Sequence, residues 1–407
     1  MQICKSGDAK IYCHKLDMKS QAADFTLTVW SYFYETERKK GTGVDKYIQL
    51  KNRRVGDGQP CYIIAEMSAN HGGEYNQALE IVHAAAESGA DCIKLQTYTA
   101  DTITMNSQKE YFKISNGLWK GETLYNLYLK AFTPWDWQPR IKEEAEKIGL
   151  DFLSTPFDPT AVEFLEQMGV EFYKISSFEI VDIPLLRLVA SKGKPILLST
   201  GMATEAEIGA AVNAIRAYGS EVLLMKCSSA YPADPTDMNL STLQYLKETF
   251  NVPVGLSDHS MGCMSVCTAV ALGAKAIEKH LCIGRDKKTP DSEFSMEPQE
   301  FLTMTKNIRI VEKSIGSVKF GPSADEAVSV LHRKSIFVTA DIEAGDAFTG
   351  ENIRVIRPSQ GMNPMYYDDV LGKTSTSYIE AGTPLKREHI TGFSTDGAAV
   401  ATDGNAR

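Results

Sequence analysis

Hydrophobic and polar positions follow a long-range rhythm from about residue 61 onward. Short apolar runs alternate with longer stretches in which apolar residues recur at helical spacing, a pattern typical of strands separated by amphipathic helices. The runs are residues 61–66, 92–97, 151–157, 172–177, 195–200, 222–227, 252–259 and 275–280. Eight strands with helices between them predict an α/β fold of the (β/α)8 TIM-barrel type, and an open doubly wound sheet is the alternative.

Two of the intervening stretches carry recognisable helix boundaries. Residues 76–90 predict a helix that ends near Gly89, and residues 204–219 predict one that ends near Gly219. Thr204, with Glu207 three residues on, predicts a capping box at the start of the second helix. No G-x-G-x-x-G segment opens any of the helices, which counts against dinucleotide binding.

Two segments of the chain depart from this alternation of strands and helices. Residues 98–133 are a long aromatic-rich insertion after the second strand, and long segments at this end of a barrel usually serve substrate binding. Short strand-like runs and frequent turns near the C-terminus predict a small β-rich domain. The predicted divisions are an N-terminal extension of unassigned role at 1–45, the barrel at 46–316, a linker at 317–331, the β-rich domain at 332–391 and a disordered tail at 392–407.

Composition narrows the class of partner. The 407 residues carry a formal net charge of −9, and the pI near 5.4 argues against binding to nucleic acid or an acidic membrane, because both need a basic face. No apolar run approaches the roughly 18 residues of a membrane helix, and the first residues do not read as a signal peptide. Most of the eight cysteines fall inside predicted strands and helices. This indicates free thiols in a reducing compartment, and therefore a cytoplasmic protein.

Polar residues stand at the end of nearly every predicted strand. In a TIM barrel the active site forms at this end of the strands. We interpret so many polar residues at equivalent positions as one convergent site, although any single Ser or Thr could instead cap the following helix. The residues are Glu66, Lys94, Gln96, Thr155, Lys174, Ser177, Ser199, Thr200, Ser228, Ser229, Ser257, Asp258, His259, Glu278 and His280.

His259 and His280 end the last two strands, which are neighbours in a barrel. Neighbouring strands lie about 4.8 Å apart, so both imidazoles can share one divalent ion. Two histidines with open coordination positions suit Mn²⁺ or a similar ion. A closed zinc site that includes Cys263, Cys267 and Cys282 is the alternative, but Cys263 and Cys267 lie one turn apart on an apolar helix, which favours packing.

Lys94 and Lys174 end the second and fourth strands. Two ammonium groups beside a cluster of hydroxyls predict a site for phosphate or carboxylate. The alternative use of such a lysine is as a Schiff-base nucleophile, which requires a lowered pKa.

Taken together, these segments resemble the sialic acid synthase family from about residue 47 to residue 391. The segments that carry the resemblance are AEMSANHGG, IKLQT, STPFD, YKISSFE, LLSTGMA, KCSSAYPA, GLSDHSMG, EKH, TPDSEFS and IRP. The resemblance implies a TIM barrel followed by a C-terminal antifreeze-like (SAF) domain. It implies a C–C bond-forming transferase that condenses phosphoenolpyruvate with an N-acylated amino sugar. It also implies a divalent metal, with Mn²⁺ first and Mg²⁺ or Co²⁺ as alternatives, and a domain-swapped homodimer in which each SAF domain reaches the partner's active site.

Within the family, the segments LWKGETLY, FTPWDW and MKCSSAYPA resemble the branch that makes pseudaminic acid from 2,4-diacetamido-2,4,6-trideoxy-L-altrose. In the last segment, Ser229 stands where neuraminate synthases often have Asn. Neuraminate or legionaminate synthesis from another N-acyl hexosamine remains an alternative, and a Schiff-base aldolase is a more distant one. Metal-dependent hydrolysis and non-catalytic carbohydrate binding fit the strand-end residues less well.

The resemblance also implies roles for individual residues. Glu66, His259 and His280 match catalytic positions, and the two histidines match the metal ligands. Phosphoenolpyruvate contacts are matched by Lys94, Thr155, Lys174, Ser177, Ser199, Ser229 and Ser257, and sugar contacts by Glu179, Tyr231, Asp291 and the SAF-domain Arg357; Gln96 is assigned to the same substrate site. Two positions depart from the family pattern, because Ser359 and Thr289 stand where glycine is usual.

Overall fold

The computed structural model describes residues 46–50 and 52–393. It divides the chain into two units, with the boundary between Gly316 and Ser317. The predictions for residues 1–45, and for all but the first two residues of the tail, lie outside the described residues.

Eight parallel strands form the centre of the first unit. We call them the first to eighth barrel strands: Tyr62–Glu66, Cys92–Thr97, Asp151–Pro156, Tyr173–Ile175, Ile196–Ser199, Val222–Cys227, Val254–Asp258 and Ala276–His280. Each predicted apolar run contains one of them. The first strand pairs with both the second and the eighth, and the third and fourth strands lie against each other. The sheet therefore curls into a barrel, as predicted, and the doubly wound alternative is wrong.

Most of the helices lie on the outside of the barrel, whereas Ala100–Ile103 and Leu124–Ala131 belong to the insertion after the second strand. The helices span Tyr75–Glu87, Ala100–Ile103, Leu124–Ala131, Gln138–Lys147, Pro159–Gln167, Ile183–Ala190, Glu205–Arg216, Thr242–Phe250, Met264–Ala271 and Pro298–Ile315. The capping box predicted from Thr204 and Glu207 is present. Gly89 and Gly219 follow their helices with φ of 77° and 76°, a left-handed conformation that ends a helix at little cost for glycine. None of the described helices is both long and apolar enough to cross a membrane.

An apolar plug fills the N-terminal end of the barrel. A hairpin of two short strands, Tyr47–Gln49 and Arg54–Gly56, places Ile48 and Val55 in one cluster with the first apolar residues of the barrel strands. A second, larger cluster lies between the strands and the helices. Because apolar side chains fill this end, the polar residues that terminate the strands are left to line the opposite end.

The second unit has its own small core. Strands Ser335–Val338 and Ile353–Ile356 pair antiparallel, and two short helices span Ala327–Val330 and Tyr367–Val370. Ser359, the departure from the family pattern, donates from its backbone N–H to the carbonyl of Leu331 (3.1 Å) and from its hydroxyl to that of Val330 (2.9 Å). The serine is therefore accommodated by bonds to the preceding short helix.

Candidate active site

The C-terminal ends of the barrel strands enclose a cavity of about 470 Å³. Twelve of the residues that were assigned a role from the sequence line it: Lys94, Gln96, Thr155, Lys174, Ser177, Glu179, Ser199, Tyr231, Ser257, His259, His280 and Asp291. Glu66 lies fully buried behind Lys94 and Gln96, to which it is hydrogen-bonded. The prediction of a convergent set of strand-end residues therefore agrees with where the fold places them.

Some predicted residues lie elsewhere. Asp258 points away from the cavity, where its carboxylate pairs with Lys279 at 2.6 Å, so its inclusion in the convergent set was wrong. The carbonyl of Ser228, rather than its side chain, serves the site, because it lies 2.9 Å from Nδ1 of His259. Arg357 is exposed and belongs to the second unit, so its contact with a sugar stays a prediction.

A buried chain of alternating charges runs across the floor of the cavity. The ammonium group of Lys94 pairs with Glu66 and lies 3.2 Å from Oε1 of Glu278. Oε2 of the same Glu278 lies 2.7 Å from Nζ of Lys174. Register explains the first contact, because Glu66 and Lys94 are direct partners across the first and second strands. Each lysine thus has a buried carboxylate partner, as a buried charge requires.

The two lysines are electrostatically unequal. Burial lowers the pKa of Lys94, but the carboxylates of Glu278 and Glu66 outweigh it, so the pKa lies above its ordinary value. Burial also lowers the pKa of Lys174; Glu278 opposes this, the charge of Lys94 adds to it, and the net shift is downward. Glu66 has a raised pKa, chiefly because it is buried. Lys94 is therefore held as a cation, and Lys174 releases its proton more readily.

Hydroxyl groups beside the charged floor lack partners. The side-chain oxygens of Thr155 and Ser199 are buried and accept or donate no hydrogen bond within the described part of the chain. Both residues line the cavity. A buried hydroxyl without a partner costs about 1–3 kcal/mol, so these groups are well placed to bond a polar ligand.

Gly201 brings two further hydroxyls close together. Its φ is +43°, and a Cβ at this position would lie 2.3 Å from Cβ of Ser177 and 2.9 Å from Oγ of Ser229. Only a residue without a side chain permits this approach. Ser229 does not line the cavity itself, but it is thus held at the edge of the hydroxyl cluster.

The two predicted metal ligands face each other. The ring centroids of His259 and His280 are 5.3 Å apart. Because Nδ1 of His259 donates to the Ser228 carbonyl, Nε2 is the nitrogen that carries the lone pair when this ring is neutral. Nδ1 of His280 is buried without a hydrogen-bond partner in the described chain. Burial and the neighbouring His259 hold the pKa of His280 well below its ordinary range, so its ring is neutral, as a metal ligand must be.

This pair fits a metal site that the protein completes only in part. No group of three or more His, Cys, Asp or Glu side chains among the described residues could hold a metal ion. Nδ1 of His280, which has no hydrogen bond in the described chain and lies 4.0 Å from Oδ2 of Asp291, nevertheless suits a ligand that the protein does not supply. Two imidazoles with the remaining positions open to water or substrate are compatible with an ion such as Mn²⁺.

Aromatic rings form the side of the cavity above the histidines. Tyr231 packs on His259 with ring centroids 4.4 Å apart, and Phe294 packs edge-on against His280 at 4.9 Å. Trp119, from the long insertion, packs on Tyr231 at 5.8 Å. Rings fix the orientation of the imidazoles without competing for their nitrogen atoms.

Several residues of the cavity were not assigned a role from the sequence. Glu278 was noted as a strand-end residue, and its position two residues before His280 could have placed it on the same face of the strand. Cys227 lies two residues after Met225 and therefore on the same, inner face of the sixth strand. Its sulfur lies 3.8 Å from Nδ1 of His259. Trp119 and Phe294 lie on loops, within segments that the sequence analysis singled out, but neither was assigned an individual role.

Comparison with known proteins agrees with this geometry. A model of the NeuB family matches residues 81–320, and a model of the SAF domain matches residues 333–391. The chain belongs to the NeuB family. The family resemblance and the pairing of a TIM-type barrel with a SAF domain are thereby confirmed.

Individual relatives give finer detail. The chain is 42% identical to pseudaminic acid synthase of Campylobacter jejuni over 80% of its own length and 95% of the relative's. It is also 42% identical to pseudaminic acid synthase of Helicobacter pylori, over 82% and 98%. Identity to N,N'-diacetyllegionaminic acid synthase of Legionella pneumophila is 35%, over 82% and 96%. Among solved structures, N-acetylneuraminic acid synthetase of Leptospira borgpetersenii in complex with citrate is 35% identical, with a TM-score of 0.63 and coverage of 71% and 96%.

Proposed function

We propose that this protein is a pseudaminic acid synthase. It condenses phosphoenolpyruvate with 2,4-diacetamido-2,4,6-trideoxy-L-altrose, forms a carbon–carbon bond and releases phosphate. The observation that carries the proposal is the buried charge chain beside unpartnered hydroxyls, in a cavity that also contains two facing imidazoles. The two relatives of 42% identity, both named pseudaminic acid synthases, favour this acceptor over those of the legionaminic and neuraminic branches.

Phosphoenolpyruvate is proposed to bind over the charged floor. Lys94 and Lys174 neutralise its phosphate and carboxylate, and the hydroxyls of Thr155 and Ser199 supply hydrogen bonds that they lack within the protein. Because both lysines are already paired with glutamates, the ligand must compete with Glu278 for them. Such preorganised charges bind an anion without first having to be brought together.

His259 and His280 would hold the divalent ion, Mn²⁺ in the first instance and Mg²⁺ or Co²⁺ as alternatives. When bound, such an ion acts as a Lewis acid that polarises the sugar's aldehyde and stabilises negative charge on its oxygen. The chain's own contribution is orientation. The Ser228 carbonyl fixes the tautomer of His259, and the rings of Tyr231 and Phe294 fix both imidazoles.

The overall reaction balances with one water molecule. C3 of phosphoenolpyruvate bonds to the aldehyde carbon of the open-chain sugar, water adds to C2, and the phosphate leaves by C–O cleavage. The proton released by the water ends on the aldehyde oxygen, which becomes a hydroxyl group. Glu66 is proposed to orient the water and assist this proton transfer from its position behind Lys94 and Gln96, since burial raises the pKa of its carboxyl group. Glu179, Tyr231 and Asp291 are proposed to contact the sugar. Because both substrates are held in one cavity, the entropic cost of bringing them together is not part of the activation barrier.

Two further proposals rest on the family resemblance. The protein forms a domain-swapped homodimer, in which the exposed Arg357 of each SAF domain binds the N-acyl group of the sugar in the partner's site. It works in the cytoplasm, where phosphoenolpyruvate is available.

A panel assay tests the proposed function. Enzyme, Mn²⁺ and phosphoenolpyruvate are mixed with each candidate hexosamine, and phosphate release and product mass are measured. We expect phosphate release and a nine-carbon acid with the diacetamido-trideoxy-altrose. Release with an N-acylmannosamine instead would assign the chain to the neuraminic branch.

The lowered pKa of Lys174 favours a Schiff-base aldolase as the second candidate. Borohydride treatment in the presence of pyruvate distinguishes the two functions. Covalent trapping of pyruvate on the protein, without phosphate release from phosphoenolpyruvate, would support the aldolase and exclude the synthase.

Replacing Gly201 by alanine is expected to raise the KM for phosphoenolpyruvate at least about tenfold, because the new methyl group displaces the hydroxyls of Ser177 and Ser229. The matched control is Gly193→Ala, where φ is +70° and no atom lies within 4 Å of the added Cβ. Both variants strain the backbone and lower the melting temperature. Steady-state kinetics should show the KM change only for Gly201→Ala, and an equal change in both would remove the special role of Gly201.

A further inference from the structure

The cavity has two chemically different sides. Besides the residues of the charged floor, the cavity is lined by an apolar wall that consists of Ile103, Ile114, Trp119, Leu124, Leu127 and Tyr128. All six belong to the insertion that follows the second barrel strand, and none carries a charge. The four aliphatic side chains are only partly buried, so a ligand in the cavity would cover them further.

The apolar wall is held in place by specific contacts. Trp119 donates from its indole N–H to the carbonyl of Pro290 at 3.0 Å, which ties the tip of the insertion to the loop after the eighth strand. The backbone N–H of Ile114 donates to the carbonyl of Glu122 at 2.9 Å, which closes the segment that carries Trp119. Tyr128 packs edge-on against Tyr98, with ring centroids 5.5 Å apart. The wall is therefore an ordered part of the cavity.

Polar groups are scarce on this wall. The indole N–H of Trp119 is already used by Pro290, which leaves the Tyr128 hydroxyl as the remaining side-chain polar atom of the six residues. A hydroxyl group pressed against Ile103, Ile114 or Leu127 would lose its bonds to water without replacement. A methyl group in the same place would be removed from water at a gain.

The position of the wall relates it to one end of the sugar. The acceptor's aldehyde must lie near His259, and Tyr231 separates this imidazole from Trp119. Trp119 therefore reaches the imidazole through one intervening ring, and the other five wall residues line the same cavity.

We propose that the apolar wall is the specificity element for the far end of the acceptor: it accepts the methyl group of a 6-deoxy sugar and disfavours a 6-hydroxymethyl group. Leu127 and Ile103 are its specificity-determining residues, and Trp119 is a positioning residue that anchors it. This inference rests on the proposed synthase function and adds the group by which the acceptor is selected.

The test compares two acceptors that differ in one atom, the 2,4-diacetamido-2,4,6-trideoxy-altrose and its 6-hydroxy analogue. For the unmodified protein we expect kcat/KM to favour the 6-deoxy sugar by roughly 10–100-fold, the range that apolar pockets achieve. Leu127→Gln should reduce this preference about tenfold or more, while the KM for phosphoenolpyruvate stays unchanged.

Leu129→Gln is the matched control, since Leu129 lies on the same helix, does not line the cavity and is 53% exposed. It should leave the preference unchanged. If Leu127→Gln lowers the melting temperature too far for kinetics, Ile103→Gln is measured instead, because it places the same amide on another part of the wall.

The possible outcomes distinguish a failure of this inference from a failure of the proposed synthase function. Turnover by the unmodified protein with no preference for the 6-deoxy sugar, or a preference that neither wall variant changes, overturns the inference alone; no phosphate release with either acceptor overturns the proposed function.

Discussion

Replacing Glu278 by glutamine is expected to lower the free energy of unfolding of the barrel by about 3–5 kcal/mol, the usual cost of removing one partner from a buried ion pair. Glu278 is 4% exposed and, within residues 46–50 and 52–393, is the one carboxylate that contacts both Lys94 and Lys174. In the variant, Lys94 keeps Glu66, but Lys174 loses the only acidic partner it has among the described residues. Glutamine preserves the shape of the side chain, so the loss of stability measures the contribution of the negative charge alone.

Urea unfolding followed by tryptophan fluorescence measures this change, because all four tryptophans precede residue 317. Glu300→Gln is the control: Glu300 pairs with Arg285 on the surface, and its loss should cost no more than about 1 kcal/mol. Phosphoenolpyruvate should raise the melting temperature of Glu278→Gln more than that of the unmodified protein, since the anion replaces the missing carboxylate. Equal stability of the two proteins would mean that the charge chain is not a structural requirement.

Replacing His259 by alanine is expected to reduce metal-dependent turnover at least about a hundredfold. A catalytic metal contributes several kcal/mol to the transition state, and each 1.36 kcal/mol is about a tenfold change in rate. The variant retains one of two imidazoles, so Mn²⁺ affinity in a calorimetric titration should fall with the rate. The fold should persist, because the histidine lies at the rim of the cavity rather than in the apolar clusters.

The control for this experiment is His83→Ala, which removes a partly exposed histidine that pairs with Glu144 outside the cavity. Its turnover should equal that of the unmodified protein. Chelator should abolish phosphate release by the unmodified protein, and added Mn²⁺ should restore it. Full activity of His259→Ala in the presence of chelator would refute the metal role of the histidines.

The sequence predicts the barrel well because strand position follows directly from apolar runs. It also indicates which residues form the site, since Lys94, Lys174, His259 and His280 are polar residues that lie within such runs. Asp258 shows the limit of that argument. Neighbouring residues of a strand point to opposite faces, so Asp258, between Ser257 and His259, turns outward to Lys279.

The pairing of lysines with glutamates in the cavity could not be predicted from the sequence, for a different reason. Lys174 and Glu278 are 104 residues apart, and their contact depends on how the fourth and eighth strands face each other across the barrel. The anchor from Trp119 to Pro290 spans 171 residues and joins two loops. Neither contact leaves a periodic or local pattern, because loop-to-loop geometry is set only when the whole barrel closes.

The hairpin that plugs the barrel has a practical consequence. Its first strand begins at Tyr47 and lies at the end of the barrel away from the cavity. A protein immobilised on a sensor surface through a linker attached to an exposed side chain of this hairpin, such as that of Tyr47, would present its substrate entrance to the solution. Binding of phosphoenolpyruvate and sugar could then be followed on the intact chain without the support obstructing their access.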